Sequence, residues 1–200
     1  ASPGCYSTGA NVIIKPLINS GILSKNIPII INAVSGYSGG GKSMIKYFKE
    51  SGHEPFFNYG LKLNHKHLPE IIYHNKLELT PIFSPSVGNF IQGMIVSIPL
   101  HFSWFNQKVD TEKIQCLLEE FYSEANFIKV LKKDEGISYK GYFRPDNLIG
   151  TNCLDISVFG NDYNNQLIIS SRLDNLGKGA SGAAIQSMNI ALGYDETLGL

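Results

Sequence analysis

Apolar and polar positions along the chain follow a pattern that predicts alternating helices and strands. Helical spacing is clearest after Asp110, a possible N-cap, where Ile114, Leu117 and Phe121 recur on one face of a helix that ends near Ala125. The other predicted helices span residues 44–50, 68–74 and 180–192, and residues 6–18 form a helix or a helix–strand mixture.

Runs of β-branched and aromatic residues predict several strands. The clearest pair is a hairpin, in which residues 160–162 turn the chain between antiparallel strands at residues 154–159 and 167–172. A buried strand is predicted at residues 27–34, and two further strands, at residues 77–83 and 90–104, flank a turn at residues 84–88. No internal repeat, linker or shift in composition divides the chain.

The composition is that of a packed globular protein. The 200 residues are 43% hydrophobic and 17% charged, which fits one large domain or two small ones. Because 17 basic side chains balance 17 acidic ones, the formal net charge is +0, and the chain lacks the positive field that gathers nucleic acid. No apolar run approaches the roughly 20 residues that cross a bilayer, so we expect a soluble protein without nucleic-acid or membrane partners.

The cysteines, Cys5, Cys116 and Cys153, are an odd and widely scattered set. They predict neither a disulfide scaffold nor a metal site, and they fit a reducing compartment such as the cytoplasm. The first ten residues lack the basic region and apolar core of a signal peptide. A Pro–Gly–Cys turn with no strand before it suggests that an N-terminal part of the protein precedes this sequence.

Residues 36–43 match the phosphate-binding loop of nucleoside triphosphatases, between a predicted strand and a predicted helix. Backbone N–H groups of such a loop hold phosphates, and Lys42 would neutralise their charge. That fold also needs a parallel sheet and a metal-binding aspartate after an apolar strand. The best candidate strand, residues 154–159, is one arm of a hairpin, so an NTPase is the rival interpretation.

Cys5 stands between a Pro–Gly turn and a predicted helix. At a helix N-terminus the dipole and free N–H groups favour thiolate over thiol, and thiolate is the nucleophilic form. The alternative is a small buried apolar side chain, which is what most free cysteines are. Position alone leaves both interpretations open.

His65 and His67 flank Lys66. In an extended segment residues i and i+2 face the same way, so both rings can enter one cleft, where imidazole can transfer protons. Without a clear third ligand they do not make a zinc site, and the alternative is a solvated pair. The glycine-rich segments 35–41 and 177–182 each open a helix and either bind an anion or serve only as turns.

Five segments in order carry a resemblance to a known family: residues 2–9 (SPGCYSTG), 33–42 (AVSGYSGGGK), 65–70 (HKHLPE), 87–94 (VGNFIQGM) and 172–184 (RLDNLGKGASGAA). They resemble N-acetyl-γ-glutamyl-phosphate reductase, the acyl-phosphate reductase of arginine biosynthesis, in its shorter-chain type. Ser2 departs from the asparagine usual in the family, and Ser7 from alanine or proline. Five ordered segments outweigh one loop pattern, which becomes a coincidence within the second of them.

The resemblance implies an α+β fold, the glyceraldehyde-3-phosphate-dehydrogenase-like catalytic domain, with a mixed or largely antiparallel sheet covered by helices. It implies that Cys5 attacks an acyl phosphate, that phosphate leaves to give a thioester, and that NADPH reduces it to N-acetylglutamate semialdehyde. His65 would transfer protons and, if protonated, stabilise the thiolate. Further implied site residues are Tyr59, His67, Ser35 and Gly36 for the substrate, and Asn175 and Gly39 for NADP(H).

The resemblance also implies an organisation and partners. Family members carry an N-terminal Rossmann domain for NADP, whose Gly-x-Gly-x-x-Gly is missing here, so residues 1–200 would be the catalytic and dimerisation domain, inactive alone. Expected partners are an acyl phosphate, inorganic phosphate and further copies in a homo-oligomer. Arg144, Arg172 and Lys178 could hold the substrate anion or form surface ion pairs. Alternatives are a related reductase such as aspartate-semialdehyde dehydrogenase, and a purely dimerising or structural domain.

Overall fold

Helices and strands alternate along the chain, which a computed structural model describes for residues 2–138 and 140–200. The helices are α1 (Cys5–Asn19), α2 (Gly41–Glu50), α3 (Leu68–Asn75), α4 (Thr111–Phe121) and α5 (Gly182–Ala191). The strands are β1 (Ile30–Gly36), β2 (Phe56–Asn58), β3 (Ile82–Gly88), β4 (Met94–His101), β5 (Ile128–Val130), β6 (Leu154–Asn161) and β7 (Gln166–Leu173). Short 3-10 turns lie at Tyr37–Gly40 and Phe102–Trp104, and a π-helical turn at Gly177–Ser181.

The strands form one 7-stranded sheet in the order β2-β3-β1-β4-β7-β6-β5. β1 pairs in parallel with β3, and β5 with β6. The other neighbouring pairs are antiparallel. The predicted α+β class and the mixed, largely antiparallel sheet are therefore confirmed.

Helix α1 lies against β4 and β7 and beside α3. Its residues Ile13 and Leu17 are fully buried in the main hydrophobic core. The approach to the sheet is close because Gly9 has no side chain: a Cβ there would lie 2.7 Å from Val96 Cγ2 on β4. Ser171 on β7 donates to the Gly9 carbonyl at 2.9 Å. These contacts fix the position of the helix and therefore of Cys5 at its start.

Most predicted elements are confirmed with shifted ends. Residues 6–18 are wholly helical, and the predicted hairpin is β6 and β7. The last predicted helix begins as the π-helical turn, so regular α-helix runs only from Gly182 to Ala191.

The segment 84–88 is not a turn but the second half of β3. It pairs with β1 on one side, with Ala33 opposite Pro85. On the other side β2 reaches only to Ser86, so Pro85 lies beyond the end of that ladder, where no N–H donor is needed. Proline is therefore compatible with this strand, which turn-forming residue types alone do not reveal.

Candidate active site

Cys5 is the first residue of α1, and the backbone before it is fixed. The Gly4 carbonyl accepts the Thr8 N–H at 2.8 Å, which begins the helix. The Gly4 N–H donates to both carboxylate oxygens of Glu70 on α3, at 3.1 and 3.3 Å. Helix α3 therefore holds the residue that precedes the thiol.

The Cys5 side chain lines a cavity of about 190 Å³. Its walls come from the start of α1, the end of β1 with the turn and helix that follow, the loop after β2, and β3. The lining residues are Cys5, Tyr6, Ser35, Gly36, Gly39, Gly40, Met44, Tyr59, His65, Lys66 and Val87. The structure thus brings together most of the predicted site residues, and it leaves His67 and Asn175 outside the lining.

The His65 ring is oriented by a turn. The His65 carbonyl accepts the Leu68 N–H at 3.0 Å. The Nδ1 atom of the His65 ring accepts the His67 N–H at 3.2 Å. This second bond assigns the proton of the neutral ring to Nε2, which lies 3.5 Å from the Tyr59 hydroxyl oxygen. Burial and the nearby Lys66 charge lower the pKa of His65, so the ring is neutral at neutral pH. A protonated His65 that stabilises the thiolate is therefore not supported.

His67 lies behind the cavity. Its ring centroid is 4.7 Å from that of His65 and 5.9 Å from that of Tyr6, and the ring packs where a side chain on Gly4 would stand. Its Nδ1 is buried and has no hydrogen-bond partner within residues 2–138 and 140–200. Burial, with the neighbouring His65, lowers the pKa of His67 to about 4. The segment is a turn and not extended, so the expectation that both rings enter one cleft is corrected.

The first half of the loop that resembles a phosphate-binding loop is already hydrogen-bonded. The N–H groups of Gly36, Tyr37 and Ser38 donate to carbonyls of residues 90–93 at 2.9, 2.9 and 3.1 Å. Those groups cannot also cradle a phosphate, and the sheet around β1 is mixed. The NTPase interpretation is therefore abandoned.

Asn175 connects this loop to the next one. Its Oδ1 accepts the Gly93 N–H at 2.7 Å, and its Nδ2 donates to Ser38 Oγ at 2.9 Å. A Cβ on Gly39 would lie 2.9 Å from Ser35 Oγ and 3.5 Å from Asn175 Nδ2, so Gly39 is required for this close packing. Because the Asn175 side chain is buried and bonded within the protein, its contact with nicotinamide stays a prediction.

Two glycines lie close to the thiol. Gly39 lies on one wall, and on another side a Cβ on Gly179 would lie 2.8 Å from Cys5 Cβ. Both glycines therefore allow the segments around the thiol to pack closely. The described residues form a mixed sheet and not the doubly wound parallel sheet that binds a dinucleotide. The described residues therefore do not provide a dinucleotide-binding fold, and the contact of Gly39 with NADP(H) stays a prediction.

Opposing effects set the acidity of the Cys5 thiol. Burial is the largest, and it raises the pKa of Cys5. Backbone hydrogen bonds at the start of α1 and the charge of Lys66 lower the pKa by a smaller amount. The balance leaves the pKa raised, so the resting group is the thiol, and the helix N-terminus alone does not produce the predicted thiolate.

Three residues of the site were not predicted from the sequence. Tyr6 is buried beside the thiol and donates to the Ser86 carbonyl at 3.3 Å, and burial raises the pKa of its phenol. Glu70 and Lys66 both lie in the segment 65–70 that carries the family resemblance. Their position beside the two histidines is the signal that could have identified them.

The other candidate cations have partners elsewhere. Arg172 pairs with Asp155 at 2.7 Å, Arg144 pairs with Asp146 at 2.5 Å, and Lys178 donates to a glutamine oxygen at 2.5 Å. None of them lines the Cys5 cavity. Within residues 2–138 and 140–200, no three His, Cys, Asp or Glu side chains are placed to hold a metal ion, and no helix has the length and apolarity to span a membrane.

Known proteins match the chain across this whole site. Residues 5–175 fit the family model described as "Semialdehyde dehydrogenase, dimerisation domain". The chain belongs to this family. Among similar relatives, N-acetyl-gamma-glutamyl-phosphate reductase 2 of Nostoc sp. is 44% identical over 211 residues, which cover 100% of this chain and 65% of the relative. N-acetyl-gamma-glutamyl-phosphate reductase of Brucella ovis is 42% identical over 198 residues, which cover 96% of this chain and 64% of the relative.

Solved structures of semialdehyde dehydrogenases share the fold. Aspartate semialdehyde dehydrogenase II from Vibrio cholerae superposes with a TM-score of 0.68 at 13% identity, covering 96% of this chain and 62% of that one. Aspartate semialdehyde dehydrogenase from Francisella tularensis gives 0.68 at 13%, covering 95% and 64%. The predicted glyceraldehyde-3-phosphate-dehydrogenase-like fold is confirmed. The chain spans about two thirds of the length of its curated relatives.

Proposed function

We propose that this chain is the catalytic and dimerisation domain of an N-acetyl-γ-glutamyl-phosphate reductase of arginine biosynthesis. The observation that carries the proposal is the cavity in which Cys5 meets His65 and Tyr59. The names of relatives at 44% and 42% identity support the choice of acyl phosphate. We further propose that a Rossmann domain for NADP completes the enzyme and that this chain alone does not catalyse the reduction.

The chemistry of this chain is acyl transfer to sulfur. Cys5 Sγ attacks the carbonyl carbon of the acyl phosphate, the carbon–oxygen bond to the phosphoryl group breaks, and a thioester forms. The thiol proton ends on the departing phosphate, so the step is balanced. Because the thiol pKa is raised, this proton is still on sulfur in the resting site and must leave as the bond forms.

His65 holds its proton where charge develops during this attack. With Nδ1 occupied by the His67 N–H, the Nε2–H is the available donor, and it can stabilise the negative oxygen of the tetrahedral intermediate. The Tyr59 hydroxyl lies beside it and orients the substrate. When bound, NADPH supplies the hydride that converts the thioester to the aldehyde. Ser35, Gly36 and Gly39 shape the wall against which these groups work.

The proposed setting is a homo-oligomer in the cytoplasm. The name of the matched family model supports self-association. Cys5, Cys116 and Cys153 are free thiols, which a reducing compartment preserves.

The first prediction concerns acylation of Cys5. We expect acetyl phosphate to transfer one acetyl group to the Cys5 peptide, detected by mass spectrometry, with release of inorganic phosphate. Cys5→Ser should abolish both signals, because a hydroxyl at this position is a far weaker nucleophile. Cys116→Ser, on the exposed face of α4, is the matched control and should react like the unmodified chain. Absence of acetyl-Cys5 would contradict the proposal and favour a purely dimerising domain.

A further inference from the structure

The Cys5 cavity contains one fully charged side chain. Lys66 lines it, and no aspartate or glutamate does. Within residues 2–138 and 140–200, the ion pairs are Lys129–Glu135, Arg144–Asp146 and Arg172–Asp155. Lys66 therefore has no acidic partner among these residues. The thiol, the phenols and the neutral His65 beside it carry no compensating negative charge.

A turn at residues 65–68 explains how the adjacent residues His65 and Lys66 both line the cavity. His65 accepts the Leu68 N–H, so Lys66 occupies the first central position of a four-residue turn instead of alternating to the opposite side. Lys66 is solvent-exposed while it lines the cavity, which places it at the opening. Its charge is felt at the thiol, since it lowers the pKa of Cys5.

An anionic group that enters this cavity meets Lys66 at the opening and the Cys5 thiol in the same cavity. An acyl phosphate has its negative charge on the phosphoryl group, which is directly bonded to the carbonyl that Cys5 attacks. Arg144, Arg172 and Lys178 are held elsewhere and do not line the cavity. Lys66 is the cation among the residues that line the cavity, so its position at the opening matches a leaving group that faces the opening.

We infer that Lys66 is the anion-binding residue of this site, which holds the phosphoryl group of the acyl phosphate at the mouth of the Cys5 cavity. The phosphoryl assignment rests on the proposed function. The preference of the thiol for anionic reagents follows from the cavity itself and is measurable without any acyl transfer.

The experiment compares two alkylating reagents of similar size, anionic iodoacetate and neutral iodoacetamide. Both reagents react with the thiolate, so any change in the thiol pKa cancels in the ratio of their rates. Mass spectrometry of the Cys5 peptide measures both rates. At low salt we expect Lys66→Met to lower the iodoacetate-to-iodoacetamide ratio about fivefold, and Lys66→Arg to stay within about twofold of the unmodified chain. Lys62→Met, an exposed lysine of the same loop that does not line the cavity, is the control and should leave the ratio unchanged.

Salt and phosphate give two further measurements. Raising the salt concentration should bring the ratio of the unmodified chain toward that of Lys66→Met. Inorganic phosphate should slow iodoacetamide at Cys5 in the unmodified chain and not in Lys66→Met. An unchanged ratio in Lys66→Met, or equal protection by phosphate in both proteins, would overturn the inference. If the ratio falls but acetyl phosphate never acylates Cys5, the anion site stands and the proposed function fails.

Discussion

His65 and His67 are two residues apart and have different surroundings. His65 lines the cavity and keeps its Nε2 proton available, whereas His67 lies behind it with a buried Nδ1 that has no partner among the described residues. A buried polar atom without a partner destabilises the folded state. His67 therefore supports the active site by position, because its N–H fixes the His65 ring, and not by titrating.

His67 should make the stability of the fold depend on pH. Burial lowers its pKa to about 4 in the folded chain, from about 6.5 when unfolded. As the pH falls, the unfolded chain binds this proton first, so stability present at pH 7 is lost between about pH 6.5 and pH 4. Since the ring is only partly buried, we expect His67 to account for about 1–2 kcal/mol of that loss.

Urea unfolding at about pH 7 and pH 4.5 measures this effect. His67→Gln keeps the backbone N–H and has no titrating ring, so it should lose less stability between the two values than the unmodified chain does. The other titrating groups are common to both proteins and cancel in the comparison. An equal loss in both would show that His67 does not carry the effect.

At the scale of elements, helix α3 anchors the beginning of α1. The Glu70 carboxylate accepts the Gly4 N–H, and its negative charge also raises the pKa of Cys5. Glu70→Gln keeps an acceptor and removes the charge, so we expect little change in stability and a lower thiol pKa. Glu70→Ala removes both and should also lower the free energy of unfolding by about 1–3 kcal/mol.

Two measurements separate these effects. The pH dependence of iodoacetamide alkylation at Cys5 reports the thiol pKa, which should fall in both variants. Urea unfolding measures the stability contributed by the hydrogen bond between Glu70 and the Gly4 N–H, which should be lost only in Glu70→Ala. Glu78→Ala, at an exposed position after α3, is the control for both readouts. Equal stability of the two Glu70 variants would mean that the bond to Gly4 contributes nothing.

Elements with a strong local signal were predictable from the sequence. The β6–β7 hairpin alternates in its first strand, although its turn lies at residues 162–165 and not at the predicted 160–162. Helix α4 begins after the Asp110 cap, whose side chain accepts the Lys113 N–H at 2.8 Å. The three-residue strands β2 and β5 have no such signal, since neighbouring strands hold them in place. The parallel pairing of β1 with β3 depends on the whole sheet and on no local pattern.

In the candidate site, too, features with a local sequence signal were predictable and features that depend on distant segments were not. Cys5 and His65 were predicted because their residue types and nearby turns indicate chemistry, and the structure places both around one cavity. The separation of His67 from that cavity follows from a turn that sequence spacing did not reveal. The raised thiol pKa depends on burial by distant segments, which no local motif reports.

At the scale of the whole molecule, one arginine joins the segment between β5 and β6 to the sheet. Arg172 on β7 donates to the Asp155 carboxylate at 2.8 Å and to the Gly136 carbonyl at 2.8 Å, and the Phe143 ring lies 4.7 Å from its guanidinium carbon. The side chains of Arg172 and Asp155 are 4% and 9% exposed. A pair this buried holds a long irregular segment in one place.

Breaking this pair should be strongly destabilising. Asp155→Asn leaves the buried Arg172 charge unneutralised, and we expect a loss of about 3–5 kcal/mol in the free energy of unfolding. Asp146→Asn, which breaks the exposed pair with Arg144, is the matched control and should change stability by less than about 1 kcal/mol. Denaturant unfolding compares the two, and similar losses would argue that burial does not strengthen the effect.

The order of strands in the sheet has a consequence for a chain that is made one residue at a time. Helix α1 is synthesised before the strands that it contacts, because its apolar face packs against β4 and β7. The last of these, Gln166–Leu173, follows α1 by most of the chain. Until β7 has been synthesised, part of the apolar face of α1 has no partner, and this exposed surface favours aggregation of the unfinished chain.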